Sequence, residues 1–206
     1  MPLHIEKFVT GPIETNTYLV VNDEKKSFLI DPSSGCEDVL IYLKDNSITL
    51  ENIVITHGHF DHVLGLGEIL EVYPKCAVYM HPGEAMMLRN AEFNGSLMVG
   101  IQFSYGGPIV DLNEGPMQIG SFQVNIIAVP GHSPAGVAVL IDKYLLCGDI
   151  LFAGSVGRSD LQGGNEALLL KGIHEKLLIL PGDTVVCPGH GGRTTIAREK
   201  RENPYL

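Results

Sequence analysis

Four residues that commonly bind metal ions lie within one short stretch, directly after a run of β-branched residues. The stretch reads IVITHGHFDHVLG and contains His57, His59, Asp61 and His62. In an extended or turning segment, His57 and His59 point to the same side, so both imidazoles can bind one ion. Asp61 and His62 are expected to start the following helix, offset from the first pair. This offset favours two neighbouring ions over a single ion.

Three more residues of metal-binding type each follow a separate predicted strand. His132 follows IIAVPG, Asp149 follows YLLCG, and His190 follows TVVCPG. Strands fix the positions of residues at their ends, while the loops leave room for a substrate. We therefore expect all these residues to converge. Three histidines and a carboxylate would bind one ion, and Asp61, His62 and His190 would bind the other. Asp149 is the candidate for the carboxylate that both ions share.

Strands and helices alternate along the whole chain. Periodicity predicts strands at 4–9, 16–23, 26–31, 52–57, 76–81, 122–132, 136–142, 143–149 and 184–190, and helices at 36–47, 62–73, 166–180 and from about 194. Two similar sheet-and-helix halves packed against each other would place two sheets inside and the helices outside.

Composition limits the class of protein. One domain spanning 1–206 is expected, because apolar residues are spread evenly over the 206 residues. The net charge of −10 argues against a nucleic-acid partner. No apolar run approaches the roughly 18 residues of a membrane helix, and the N-terminus lacks a signal-peptide core, so a cytoplasmic protein without a membrane partner is expected. Four widely spaced cysteines without a CxxC pair indicate reduced, mostly buried thiols.

Other polar residues are interpreted as structural. Asp31, which follows a strand, is expected to orient a ligand imidazole or a nearby loop. Arg158 and Asp160 are expected to form an ion pair rather than to contact substrate. The remaining histidines are interpreted as surface or core residues outside the ligand set: His4, His81 and His174.

The proposed ligands resemble the pattern of the metallo-β-lactamase superfamily, in which HxHxDH is followed by a lone His, a bridging Asp and a final His. In this chain the pattern is formed by His57, His59, Asp61, His62, His132, Asp149 and His190. The stretches GDILFAGSVGRSDLQGGN, PGHG and RENPYL are similar to the short, glyoxalase II-like (hydroxyacylglutathione hydrolase-like) enzymes. The resemblance implies an α/β fold, an αββα four-layer sandwich of two mixed β-sheets with helices outside. It also implies two divalent metal ions, with zinc as the first choice and iron or manganese also accepted.

The resemblance further implies a metal-dependent hydrolase that cleaves S-lactoylglutathione or a related small-molecule thioester. Two ions would lower the pKa of a bridging water toward neutrality, so that a metal-bridging hydroxide serves as nucleophile. Asp61 and Asp149 are the residues assigned to catalysis, and a thiolate with pKa near 8.5 leaves without a strong general acid. Full-length glyoxalase II carries a helical C-terminal extension with basic residues for glutathione, and this chain is expected to lack it.

Two enzyme alternatives and one binding alternative stay open. Persulfide dioxygenases of the same superfamily carry the same histidine pattern and a similar GRSD-type stretch but use one iron bound by two His and one Asp, here His57, His132 and Asp149. Lactonase activity also occurs in the superfamily. A metal-binding or regulatory module without turnover is the third hypothesis. The sequence leaves the oligomeric state open.

Overall fold

The structure, a computed structural model, describes residues 3–206 and contains two six-stranded sheets. The first sheet has the strand order β1-β2-β3-β4-β5-β6. These strands are β1 (His4–Thr10), β2 (Thr15–Val21), β3 (Lys26–Ile30), β4 (Thr49–Ile55), β5 (Ala77–Met80) and β6 (Ile109–Asp111). The first three strands are antiparallel, and the pairs from β3 to β6 are parallel, so this sheet is mixed.

The second sheet is also mixed and has the order β14-β13-β10-β9-β8-β7. In chain order the later strands are β7 (Gly115–Ile119), β8 (Phe122–Ala128), β9 (Val137–Ile141), β10 (Tyr144–Gly148), β11 (Leu151–Phe152), β12 (Ser155–Val156), β13 (Val185–Pro188) and β14 (Thr194–Thr195). Strands β10 and β13 are parallel, and the other pairs in this sheet are antiparallel. Strands β11 and β12 form a separate small hairpin.

Short amphipathic helices cover the outer faces. They are α1 (Glu37–Asp45), α2 (Leu66–Val72), α3 (Ala85–Arg89), α4 (Glu166–Gly172) and α5 (Ile196–Glu202). Helix α1 buries Val39 and Leu43, which are four residues apart and therefore on one face. Helices α4 and α5 begin at side-chain caps, since Asn165 accepts a hydrogen bond from the backbone N–H of Leu168 and Thr195 from that of Arg198.

Three apolar layers hold the fold together. Between the sheets, Phe28 and Phe122 stack edge to face with ring centroids 4.9 Å apart. Outside the first sheet, apolar residues of α1 and α2 pack on its strands, and Leu169 of α4 and Ile196 of α5 pack on the second sheet. The helices therefore lie outside two mixed sheets, which confirms the αββα four-layer sandwich.

Several element boundaries differ from the sequence-based expectations. Helix α2 begins at Leu66, and Asp61 and His62 lie in a preceding 3-10 turn, Phe60–His62. The prediction that this pair starts the helix is therefore wrong. The backbone N–H of His62 donates to His59 O, and that of Phe60 donates to the O atom of Asn94, a residue distant in sequence, so the chain turns before the helix can start. This turn points both side chains back toward the strand ends.

Two other predicted elements are too long, and several short elements were missed. The predicted strand 122–132 ends at Ala128, before Pro130 and Gly131. The predicted helix 166–180 is α-helical only to Gly172 and continues as a π turn. Helix α3, a 3-10 turn over Ser96–Val99 and the short strands β6, β7, β11 and β12 were not expected. No helix in residues 3–206 is both long enough and apolar enough to cross a membrane.

Candidate metal centre

The seven residues predicted as ligands come from the ends of four strands and meet at one end of the sandwich. The loop after β4 carries four of them, and the loops after β8, β10 and β13 carry one each. Strands β4, β10 and β13 belong to parallel pairs, and the carboxyl ends of such strands collect ligands at one edge. Six of their side chains form two groups of three, and the seventh, Asp149, lies between the groups.

The first group contains His57, His59 and His132, all buried. The Nδ1 atom of His59 lies 2.9 Å from Nε2 of His132, which lies 3.2 Å from Nε2 of His57. The other ring nitrogen of His132, Nδ1, lies 2.8 Å from the carbonyl oxygen of Arg158. Since a carbonyl only accepts, Nδ1 carries the proton and the Nε2 lone pair faces the other two imidazoles.

Burial keeps this first group uncharged. Burial is the main reason why the pKa of His59 falls to about 3, and it also lowers the pKa values of His57 and His132. Nearby imidazoles lower the pKa values of His57 and His59 further. Neutral imidazole is the form of histidine that binds metal ions. The group is therefore in the protonation state that a metal requires.

The second group contains Asp61, His62 and His190. The Oδ2 atom of Asp61 lies 3.1 Å from Nε2 of His62 and 3.2 Å from Nε2 of His190. The same oxygen accepts a hydrogen bond of 2.9 Å from the Thr15 hydroxyl. On the far side of its ring, His62 Nδ1 lies 2.9 Å from Oδ2 of Asp31. Both side chains of that last pair are buried.

Asp149 lies between the two groups. Its Oδ1 atom is 3.4 Å from His62 Nε2, and its Oδ2 atom is 3.5 Å from His190 Nε2 and 3.7 Å from His132 Nε2. One carboxylate thus reaches histidines of both groups. This is the position that a shared ligand would occupy.

The carboxylates give this end of the molecule a preference for positive charge. Burial alone would lower the pKa values of His62 and His190, but the neighbouring carboxylates have the larger effect. They raise the pKa of His190 to about 10 and the pKa of His62 well above its ordinary value. Burial alone would raise the pKa of Asp61 and Asp149, yet the adjacent histidines lower both. A bound cation would be stabilised in the same way.

Two orphaned atoms support a metal at this position. The buried Nε2 of His62 and Oδ1 of Asp149 make no hydrogen bond. A buried polar atom without a partner costs about 1–3 kcal/mol, and coordination to a cation would satisfy both atoms. The donor set of imidazoles and carboxylates without cysteine is typical of catalytic rather than structural zinc sites. The residues present therefore fit divalent metal ions.

Asp31 supports the site from behind. Its Oδ1 atom accepts a hydrogen bond of 2.7 Å from the backbone N–H of Thr56. Its Oδ2 atom accepts two, one of 2.6 Å from the Thr56 hydroxyl and one of 2.9 Å from Nδ1 of His62. Both oxygens are thus occupied by protein donors. Asp31 therefore contacts the imidazole of His62 directly, and its role in orienting a metal ligand stays a prediction.

A second supporting carboxylate was not anticipated. Glu84 is fully buried, and it accepts hydrogen bonds from the backbone N–H of Gly58 at 2.9 Å and of Ala135. Gly58 separates His57 from His59, and Ala135 lies in the loop that carries His132. One carboxylate therefore connects the two loops of the first group. Its only signal in the sequence was an acidic residue shortly after the predicted strand 76–81.

The residues interpreted as structural lie outside both groups. His4 contacts Glu6 at the surface, and His81 accepts a hydrogen bond from the backbone N–H of Gly83 in its own turn. Arg158 and Asp160 form the expected ion pair, with Arg158 Nε 2.7 Å from Asp160 Oδ1. This pair is exposed. Cys36, Cys147 and Cys187 are buried and Cys76 is half-buried, and all four are free thiols, as predicted.

A cavity of about 290 Å³ opens above the two groups. Its polar lining is formed by His59, Asp61, Asn94, His132, Asp149, Arg158 and His190, and its apolar lining by Ile13, Phe60, Met98, Val99 and Leu161. A larger cavity of about 520 Å³ lies at the opposite ends of the strands, beside Thr49 and Cys76, and contains no histidine. The chemistry therefore belongs to the smaller cavity.

Comparisons with known proteins agree with this architecture. A family model described as the metallo-beta-lactamase superfamily matches residues 10–190. The chain is 39% identical over 201 residues to the probable metallo-hydrolase YqgX of Bacillus subtilis, covering 95% of this chain and 94% of that protein. It is 30% identical over 215 residues to the hydroxyacylglutathione hydrolase GloC of Haemophilus influenzae, covering 99% of this chain and 98% of that protein.

Solved structures give the same result. The crystal structure of BLEG-1 B3 metallo-beta-lactamase is similar with a TM-score of 0.94 and 38% identity, over 98% of this chain and 99% of that one. The structure of TTHA1623 in a di-iron-bound form is similar with a TM-score of 0.87 and 35% identity, over 98% of this chain and 100% of that one. Sequence, fold and the His/Asp cluster agree, and the chain belongs to the metallo-beta-lactamase superfamily.

Proposed function

We propose that the protein is a metal-dependent hydrolase that cleaves a thioester, as glyoxalase II-like enzymes do, with two divalent ions in the candidate metal centre. The observation that carries this proposal is the position of Asp149. Its carboxylate reaches His132 in one group and His62 and His190 in the other, within 3.7 Å. A carboxylate between two sets of ligands is the arrangement of a two-metal site.

In this proposal, His57, His59 and His132 would hold one ion, Asp61, His62 and His190 the other, and Asp149 would contact both. When bound, such ions lower the pKa of a water molecule and polarise a carbonyl group. Zinc is the first choice, and iron and manganese are also compatible with these ligands.

The chain's own residues would position the reactants. Asp61 is fixed by the Thr15 hydroxyl at 2.9 Å, so its carboxylate could orient the attacking water. The histidines of the first group stay neutral because of their burial, so they do not repel a cation. In the overall reaction, water adds to the carbonyl carbon, the C–S bond breaks, and a carboxylate, a thiol and one proton released to solvent are formed. No acid is needed for the thiolate to leave, because its pKa is near 8.5.

Two similar proteins support this assignment. GloC, at 30% identity, is named a hydroxyacylglutathione hydrolase, and TTHA1623, at 35% identity, was crystallised with two irons. The first makes a glutathione thioester a reasonable first substrate to test. The second makes iron a reasonable alternative to zinc.

A dioxygenase with one iron on His57, His132 and Asp149 is the second candidate. It would leave Asp61, His62 and His190 without a metal ion, although their ligand atoms lie within 4.8 Å of one another. Because persulfide dioxygenases carry the same histidine pattern, metal content and reaction products decide between the two candidates.

The deciding experiment measures metal content and turnover on the same preparation. The purified chain, stripped with a chelator and reloaded with zinc, iron or manganese, should bind about two ions and hydrolyse S-lactoylglutathione or a simpler thioester. Removal of the metal should abolish turnover, and reloading should restore it. One iron per chain, with sulfite formed from glutathione persulfide and no thioester hydrolysis, would support the dioxygenase instead.

A further inference from the structure

The proposed hydrolytic centre has an apolar upper wall that the reaction itself does not explain. Ile13 comes from the turn between β1 and β2, Phe60 from the 3-10 turn that also carries Asp61, and Met98 and Val99 from a separate turn. These side chains line the cavity that contains the metal-binding residues. Three distant segments thus place apolar groups beside the metal centre.

Local hydrogen bonds fix the turn that carries Met98 and Val99. The side chain of Asn94, fully buried, accepts a bond of 2.9 Å from the backbone N–H of Ser96 and donates one of 3.1 Å to Phe103 O. Gly95 and Gly100, at φ of 81° and 75°, flank the turn in the left-handed region. The exposure of its apolar residues therefore belongs to a defined turn.

Three of the four apolar residues of this wall are exposed to solvent. Within residues 3–206, Ile13 is 48% exposed, Val99 51% and Met98 82%. An exposed apolar cluster beside a cavity marks a place where a ligand or partner is bound. Here the cluster is continuous with the cavity above the metal-binding residues, which favours a group of the substrate as the occupant.

The charges around the cavity also favour an apolar group over an anionic carrier. Among the residues that line this cavity, Arg158 is the only Lys or Arg. Its guanidinium already forms two hydrogen bonds with the carboxylate of Asp160, at 2.7 and 2.8 Å. The chain as a whole carries a net charge of −10. Anionic groups of a substrate would find little free positive charge here apart from the metal.

We propose that the cavity selects thioesters whose acyl group is an apolar chain, in preference to small hydroxyacyl groups such as lactoyl. This inference rests on the proposed thioester hydrolysis and adds the class of substrate. The acyl chain would lie against Ile13, Met98 and Val99 while its carbonyl faces Asp61 and Asp149.

The test uses acetyl, butyryl and hexanoyl thioesters of one small uncharged thiol with the metal-loaded protein. Each methylene that is buried should raise kcat/KM about fourfold, so that two methylenes give about 16-fold. Val99→Asp should flatten the series. Ile179→Asp, at a residue 73% exposed that does not line this cavity, should leave the series unchanged. Equal kcat/KM for all three thioesters would overturn the proposal.

A binding measurement separates this proposal from the proposed function. Calorimetry with acetate and hexanoate, on the same metal-loaded protein, reports on the apolar wall without any turnover. Tighter binding of hexanoate, lost in Val99→Asp, supports the wall even if no thioester is hydrolysed. Equal binding overturns it. The proposal would also be overturned if kcat/KM is equal for the three thioesters and the protein self-associates in a way that Val99→Asp abolishes. That result would assign the apolar cluster to contact with a second copy of the chain.

Discussion

The Nδ1 atom of His62 lies 2.9 Å from Oδ2 of Asp31, and both side chains are buried. The carboxylate accepts from Nδ1, so Nδ1 carries a proton and Nε2 is the ring nitrogen that faces Asp61 and Asp149. Thr56 supplies two further donors to the same carboxylate. Asp31 thus holds the His62 ring in the orientation and tautomer that metal binding needs.

Replacing Asp31 by asparagine should weaken the second metal-binding group. Asparagine offers one acceptor oxygen where aspartate offers two, and it faces three donors. Loss of such a partner typically costs 10–100-fold in metal affinity. Competition titration with a zinc chelator would measure it. The matched control is Asp142→Asn, because Asp142 also has a left-handed backbone, φ 52° against 50°, but is exposed. Equal affinities in the two variants would contradict the role of Asp31.

Asp149 and Asp61 should differ in the number of ions that they hold. Asp149 reaches both groups, while Asp61 contacts His62 and His190 of the second group. Asp149→Ala should therefore lower the occupancy of both ions and activity together, and Asp61→Ala should lower mainly one. Metal analysis of both variants after identical reloading tests this. Retention of one ion with unchanged turnover in Asp149→Ala would remove Asp149 from the shared position.

The residues that converge in the candidate metal centre could be predicted because their signal is local. His57, His59, Asp61 and His62 share one short stretch, and the other three follow apolar strands that the sequence marks clearly. The layers followed from the alternation of strands and helices. Asp31 was also found, because it directly follows a strand. Each of these inferences needed only the neighbours of a residue in the sequence.

The supporting contacts of Glu84 and Thr15 could not be predicted, because they join segments that are distant in sequence. Glu84 connects Gly58 with Ala135, and Thr15 reaches Asp61 across 46 positions. No periodicity encodes such pairs. The start of α2 was misplaced for a related reason, since the backbone N–H of Phe60 bonds to Asn94 rather than continuing a helix. Tertiary packing decided these positions.

Gly189 should tolerate no side chain. A methyl group there would overlap Oδ1 of Asp149 and lie 2.7 Å from Cε1 of His62. Gly189→Ala should displace one of these side chains and lower both metal occupancy and kcat by at least tenfold, on the order of 1.4 kcal/mol. Gly192→Ala is the control three residues away, because a methyl group at Gly192 meets no atom within 4 Å. Equal metal content in the two variants would show that the site relaxes around the methyl group.

Glu84 should hold the two loops of the first group in place. Its carboxylate accepts from the backbone N–H groups of Gly58 and Ala135, and it is fully buried. Glu84→Ala would leave both N–H groups without their acceptor, at a cost of about 1–3 kcal/mol each. Glu84→Gln retains one acceptor oxygen, so it should lose less stability. Urea unfolding of the metal-free protein would measure the free energy of unfolding for both.

Hydrogen exchange distinguishes this role of Glu84 from a general loss of stability. If the carboxylate ties the loops, the amides of Gly58 and Ala135 should lose protection in Glu84→Gln more than the amides of the core strand β9 do. Affinity for metal should fall with them, because the loops carry His57, His59 and His132. Glu92→Gln, at an exposed position, should change neither quantity. A uniform loss of protection across the whole chain would mean that Glu84 serves the fold alone and leaves the metal centre unaffected.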